Sequence, residues 1–349
     1  MNPQCSRKLG PVCSFLVFLL VIPTLVWALP GDLNESGRVD GFDLIRFSRA
    51  FDTQEGDLYW DPLADLNRDG TVNQVDLDIM KVYFGQMARS QGCWVADYGN
   101  DRAALLGAQT GSLVKEVQNL NDPVAVGFDL SNSVTWILEK GNNAVQRITY
   151  NVNGTVQITR IVGFNAPQDL TVNSVDGSCW VADTENDRVI RLANNAPHAY
   201  NLTNATGFHR AITGFSDPAS VSVNSADGTC WVADTGNHQV VKLDANVQNG
   251  YDIGSDFGSH ARTTGYSSPS AVAVNTLDGT CWATDPGNNR VVLLAKNGQV
   301  PIQSIPDFSN PIALSVNPLE NSCWVADSGS NQIVKLSQGG QVEQFRLSG

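Results

Sequence analysis

Cys230-Trp231-Val232-Ala233-Asp234-Thr235-Gly236-Asn237-His238-Gln239-Val240-Val241-Lys242-Leu243 reads as one β run, a polar Gly/Asn turn and a second β run. A further β run, Ala219-Ser220-Val221-Ser222-Val223, precedes it across the Asp227-Gly228 turn. The same phrase recurs along the chain. Cys-Trp-Val-Ala-Asp or a close variant occupies Cys93 to Asp97, Cys179 to Asp183, Cys281 to Asp285 and Cys323 to Asp327, with a divergent copy at Thr135 to Glu139. Six of the eight tryptophans mark these six copies. Their spacing of 42 to 51 residues carries no helical period.

Short strands repeated at this interval suit sheets stacked radially around an axis, each burying both faces against its neighbours. The expected architecture of residues 92–349 is therefore all-β, a six-bladed propeller with four strands per blade. WVADTENDRVIRL (180–192), WVADTGNHQVVKL (231–243) and WATDPGNNRVVLL (282–294) make this part of the chain resemble the NHL-repeat propellers.

A residue present in every blade maintains the blade, whereas a local site must break the repeat. Asp97, Asp183, Asp234, Asp285 and Asp327 are on that ground expected to accept hydrogen bonds in the turn between second and third strands. The five cysteines share one strand position. Equivalent second strands in a six-fold ring lie roughly 10 Å or more apart given strand spacing of about 4.8 Å, and a disulfide needs Cα atoms within about 7 Å. Buried free thiols are expected. The first copy begins almost at its second strand, so either blade 1 lacks its innermost strand or Gln341 to Leu347 helps to close the ring.

Ahead of the repeats lie two twelve-residue segments 33 positions apart. Asp32, Asn34, Ser36, Asp40 and Asp43 stand at positions 1, 3, 5, 9 and 12 of the first; Asp65, Asn67, Asp69, Asn73 and Asp76 do so in the second. Gly37 and Gly70 occupy position 6, where the loop bends sharply, and the backbone carbonyls of Arg38 and Thr71 fall at position 7. A hard divalent cation takes six to eight oxygens, so each segment is a candidate calcium loop. Leu44, Phe47 and Phe51 recur as Leu77, Met80 and Phe84, an apolar stripe on a helix leaving each loop. Val39 and Val72, at position 8, offer a matched β contact between the loops.

GDLNESGRVDGFDL and ADLNRDGTVNQVDL, each closed by Asp, make residues 30–86 resemble a type I dockerin. The resemblance implies a small α module of paired calcium loop-helix units holding two calcium ions, and a cohesin-bearing scaffold protein as partner. It places the cohesin contacts at loop positions 10 and 11, here Gly41-Phe42 and Gln74-Val75, and on the following helices, at Ser48, Arg49 and Lys81. The module carries twelve acids against five bases, about half of the chain's net charge of −13. Such a small unit gains from a metal staple.

Residues 1–28 read as an export signal: Arg7 and Lys8, an apolar run from Phe15 to Trp27, then Val26-Trp27-Ala28. The expected division is 1–28 signal peptide, 29–86 dockerin, 87–91 linker and 92–349 propeller, in a secreted protein without membrane insertion. The acidic balance argues against nucleic acid as a partner.

Two longer spacings mark insertions near Asn194 to Arg210 and Asn246 to Arg262, expected to project from one rim. They hold His198, His209 and His260 with Tyr200, Phe208, Tyr251 and Phe257. Tyr200, His209, Tyr251 and His260 are candidate ligand-binding residues for a glycan or protein, against the plainer reading that long hairpins pack their own aromatics. No G-x-S-x-G, H-E-x-x-H or P-loop pattern occurs, and no catalytic residue is assigned. The reading is a calcium-binding adaptor with a non-catalytic propeller; the alternatives are a polysaccharide-degrading hydrolase or lyase, and a passive spacer.

Overall fold

The computed structural model describes residues 48–61, 64–66, 69–77, 92–107, 112–129, 134–150, 156–197, 199–204, 207–318, 320–337 and 342–346. They belong to two compact units, the front segment and the repeats. The first candidate calcium loop, Asn67, His198 and the proposed export signal lie outside these residues.

In the front segment residues 48–50 and 74–77 are helical. Ala50, Ala64 and Val72 form its small core, with Phe51, Trp60, Leu66 and Leu77 packed on it. Thr53–Gln54 pairs antiparallel with Thr71–Val72, placing Thr53 opposite Val72. The Asp52 amide donates to the Val72 carbonyl at 2.8 Å and the Glu55 amide to the Gly70 carbonyl at 3.0 Å. The described β partner of Val72 is thus the chain leaving the first helix. Val39, the expected partner, lies outside the described residues.

The repeats form six blades. Blade 2 holds Pro123–Asp129, Val134–Glu139, Ala144–Tyr150 and Val156–Val162. Blade 3 holds Asp169–Val172, Cys179–Asp183, Arg188–Leu192 and His209–Thr213; blade 4 holds Pro218–Val223, Cys230–Asp234, Gln239–Leu243 and His260–Thr264. Blade 5 holds Val272–Val274, Cys281–Asp285, Arg290–Leu294 and Pro301–Ile305. Blade 6 holds Pro311–Asn317, Ser322–Asp327, Gln332–Ser337 and Val342–Arg346. Among the described residues blade 1 has three strands, Gly92–Asp97, Arg102–Gly107 and Leu113–Val117. Val342–Arg346 pairs with Gln332–Ser337 as the outer strand of blade 6, so this run completes its own blade and does not supply a strand to blade 1.

Five of the six repeat tryptophans are knobs set against the following blade. Trp94 packs with Leu120, Val126, Ile137 and Ile148 of blade 2 or the turn before it, and Trp136 with Leu170, Val181 and Ile190 of blade 3. Trp180, Trp231 and Trp282 repeat this against blades 4, 5 and 6. Trp324 of blade 6 is only partly buried. Across the strand pair, Arg191 lies over Trp180 and Lys242 over Trp231, 5.3 and 5.7 Å from the ring centres. The five repeat cysteines are free thiols, and Cys179, Cys230, Cys281 and Cys323 are fully buried. Burial pushes these four thiols up, away from the reactive thiolate.

The two insertions reach backwards over the ring's outer edge. Tyr200–Asn201 adds a parallel strand to Val156–Val162 of blade 2, and Tyr251–Asp252 adds one to His209–Thr213 of blade 3. A blade's outer strand exposes unpaired backbone groups, and a short strand from the next blade covers them. That strapping replaces the expected projection from one rim.

Candidate functional site

Three places in the molecule gather the residues from which function could be built. The first is the second calcium-loop segment. Asp65 and Asp76 are 7 % and 0 % exposed. Asp65 accepts the amides of Asp69 and Gly70 at 3.1 and 2.9 Å. Asp76 accepts those of Leu66 and Asn73 at 2.8 and 2.9 Å. Gly70 bends the chain with φ +88°. Thr71 donates its amide and hydroxyl to Asp69, at 2.9 and 2.6 Å, and the Asn73 side chain donates to Thr71. The ends of the segment are thereby clasped together. All its candidate donors are oxygens, and two of the carboxylates are withdrawn from water, a set whose chemistry suits calcium. No three acidic, His or Cys side chains among the described residues form a ready-made metal cluster. Ser48, Arg49, Gln74 and Val75 are exposed. Leu58 and Tyr59 add apolar surface to the same unit, at 88 % and 68 % exposure.

The second place is the pair of straps. Tyr200 and Tyr251 are buried, and their hydroxyls meet His209 Nδ1 and His260 Nδ1, each at 2.8 Å. The structure brings Tyr200 to His209 and Tyr251 to His260, one pair within each insertion. Arg262 donates to His260 Nε2 at 2.9 Å. A neutral imidazole has a single N–H, so with Nε2 accepting, the proton of His260 sits on Nδ1 and is donated to Tyr251. Burial, reinforced by Arg262 for His260 and Arg188 for His209, holds both imidazoles below the usual histidine range. The tyrosine hydroxyls are spent on the hairpins themselves, while Phe257 is 85 % exposed.

The third place is the centre of the ring, a cavity of about 390 Å³. Its walls are the first strands of blades 2 to 6, with Trp94 and Ala96 taking that place in blade 1. An innermost strand is a sheet edge, and its outward N–H groups need acceptors. Side chains of the preceding blade supply them. Asp169 accepts the Val221 amide at 2.9 Å, Thr171 that of Val223, Ser220 that of Val272 and Ser222 that of Val274. Ala125 and Gly127 of blade 2 offer no such acceptor; a Cβ at Gly127 would stand 2.5 Å from Val172, so close packing takes over. Sequence reading passed over this position. The signal is visible when first strands are aligned on the proline before or at their start: Ala125, Asp169, Ser220, Ala271, Ala313.

The turn aspartates behave as the repeat requires. Asp183 accepts the Asn165 amide at 2.7 Å, Asn186 at 2.9 Å and Arg188 at 2.6 Å. Asp285 repeats the set with Ser267, Asn288 and Arg290. In the divergent copy Glu139 accepts Asn121, Asn142 and Gln146. Gln239 replaces the arginine beside Asp234, and burial there holds the carboxyl above its ordinary range.

Comparison with known proteins agrees with both halves of this geometry. Residues 30–85 match the family model of the dockerin type I domain, and residues 215–243 that of the NHL repeat. The chain carries a dockerin type I domain and an NHL repeat. No curated protein matches the sequence. Among solved structures, a streptogramin B lyase aligns with TM-score 0.55 and 17 % identity over 73 % of this chain and 79 % of its own. Virginiamycin B lyase from Staphylococcus aureus gives 0.54 and 14 % over 73 % and 80 %. A nidogen/laminin complex gives 0.51 and 12 % over 71 % and 91 %. At these identities the likeness is one of fold. No helix among the described residues is long and apolar enough to cross a membrane.

Proposed function

We propose that this protein is a secreted adaptor whose dockerin, organised by two calcium ions, docks to cohesin modules of an extracellular assembly and presents the propeller as a binding module for a protein or carbohydrate. The observation that carries the reading is the dockerin match over residues 30–85. Within it, Asp65 and Asp76 are already buried and accept backbone amides.

Asp65, Asn67, Asp69, Asn73, Asp76 and the Thr71 carbonyl would hold one ion; Asp32, Asn34, Ser36, Asp40, Asp43 and the Arg38 carbonyl the other. Bound calcium supplies positive charge that offsets the crowding of carboxylates. The residues themselves do the rest: the Asp65 and Asp76 oxygens tie the loop to its own amides, and the helix after the loop presents Gln74 and Val75 to a partner. Linkage gives the size of the effect. At free calcium a hundredfold above the dissociation constant each site adds about 2.7 kcal/mol, comparable with the stability of a small domain. Millimolar extracellular calcium suits loops of moderate affinity. The lyase-like fold of the ring adds no activity to this reading, because shared fold does not carry chemistry.

The test is a panel of immobilised cohesins probed with the full chain in excess calcium and in excess chelator. Capture by at least one cohesin, abolished by chelator and by Asp76→Ala, is the expected result. Equal capture with and without calcium would refute the calcium-dependent mechanism.

A further inference from the structure

The symmetry-breaking residue of the ring is Asp169, and what surrounds it calls for a ligand. It lines the central cavity, and among the described residues no other ionisable side chain does so. Its Oδ2 accepts the Ser220 hydroxyl at 2.8 Å and the Val221 amide at 2.9 Å. Among the described residues no lysine, arginine or histidine forms an ion pair with it. Capping the next blade does not need a carboxylate, since Ser220 caps Val272 with a hydroxyl from the same position one blade later. An acid there adds only charge, and an uncompensated charge that is half-buried carries a desolvation cost. Burial raises its carboxyl to about 6.

We propose that the central cavity of the propeller binds a small organic monocation, an alkylammonium or alkylguanidinium group, with Asp169 as its counter-charge. This goes beyond the adaptor reading and is independent of the dockerin. A cavity of about 390 Å³ lies within the size range of small-molecule sites. The other walls favour the same guest. Gln168, Thr171, Ser222 and Ser270 offer hydrogen-bonding groups to the N–H donors, and Trp94 brings an aromatic side chain to the same cavity. A divalent metal fits poorly, because one carboxylate with scattered hydroxyls falls short of the six to eight oxygens such an ion takes. Asp169 ionises only when the guest or the medium makes it do so, which ties binding to pH. Cation affinity is weak below about pH 6, where the carboxyl is protonated, and rises as the carboxylate forms.

The experiment is calorimetric titration of the full chain with butylguanidinium, butylammonium and the neutral isostere butylurea, at pH 5 and pH 8. The same titrations are run on Asp169→Asn, which keeps the size and the capacity to accept from Val221. At least one cation should bind saturably at pH 8, at least tenfold tighter than butylurea and at least tenfold tighter than at pH 5. Asp169→Asn should lose that preference. Equal affinity for butylurea and the cations, binding unchanged in Asp169→Asn, or no saturable binding of either cation would overturn the proposal. If Asp169→Asn fails to fold, the wild-type comparison of charged and neutral ligand across the two pH values decides alone. Cohesin capture is a separate readout, so failure of the adaptor reading and failure of this one are told apart.

Discussion

Buried aspartates occur in both halves of this chain, and their partners differ. In the ring, Asp183 and Asp285 are met by an arginine, an asparagine and an amide each, so the charge is compensated inside the blade. In the front segment Asp65 is met by two amides of its own loop and by no basic side chain among the described residues. Burial alone therefore does not tell one kind of acid from the other; their donors differ. Guanidinium compensates the charge of Asp183 and Asp285 in place, Asn and Gln side chains take over at Asp234 and Glu139, and Asp65 is met by the backbone amides of its own loop.

Substitutions can break this comparison from either side. The largest effect is expected at Asp183→Ala, which strands Arg188, Asn186 and the Asn165 amide beside a fully buried position. Removing one partner of such a pair costs about 3–5 kcal/mol, read as a fall in the thermal midpoint of the ring with or without calcium. Next comes Asp65→Ala, expected to remove about 2.7 kcal/mol of calcium-linked stability from the front segment. Calorimetry should show its calcium-dependent transition shift while the ring transition stays put. A smaller loss, about 1 kcal/mol, is expected for Tyr251→Phe, which gives up the His260 contact and leaves the strap otherwise packed. The smallest belongs to Asp97→Ala. Its ion pair with Arg102 has side chains 26 % and 36 % exposed, and solvent-screened pairs are worth about 0–1 kcal/mol. Arg102 nonetheless holds the Asp97 carboxyl below its ordinary range through their hydrogen bond.

Asp169 sharpens the contrast through pH. Its folded-state value of about 6 lies above the ordinary 3.8, so between roughly pH 4 and pH 6 the folded chain holds a proton that the unfolded chain has released. Stability from this group is greatest at low pH and is lost as pH rises through about 6. Asp169→Asn should flatten that slope and raise the thermal midpoint at pH 8 relative to wild type, with little change at pH 4.

How much of this could be read beforehand depended on repetition. Six copies of one phrase announce six blades, place the turn aspartates and separate the thiols, because each inference is checked by every other copy. Residues that act once carry no such check. The two-residue strands at Tyr200 and Tyr251 are too short to show a period of two, and their parallel pairing to the preceding blade leaves no trace in local sequence. The Thr53 pairing of Val72 likewise has no sequence signal, since loop symmetry points only to Val39, which lies outside the described residues. Asp169 looks like any polar residue in an alternating strand until its equivalents in the other blades are set beside it.

The most direct test of the central claim is titration of calcium into the metal-stripped full chain, followed by calorimetry and by amide spectra of the Asp65 to Asp76 segment. The account predicts two bound ions, lost stepwise in Asp65→Ala, with the front segment gaining order and stability as they bind. No bound calcium at extracellular concentrations, with the segment equally stable before and after, would contradict it.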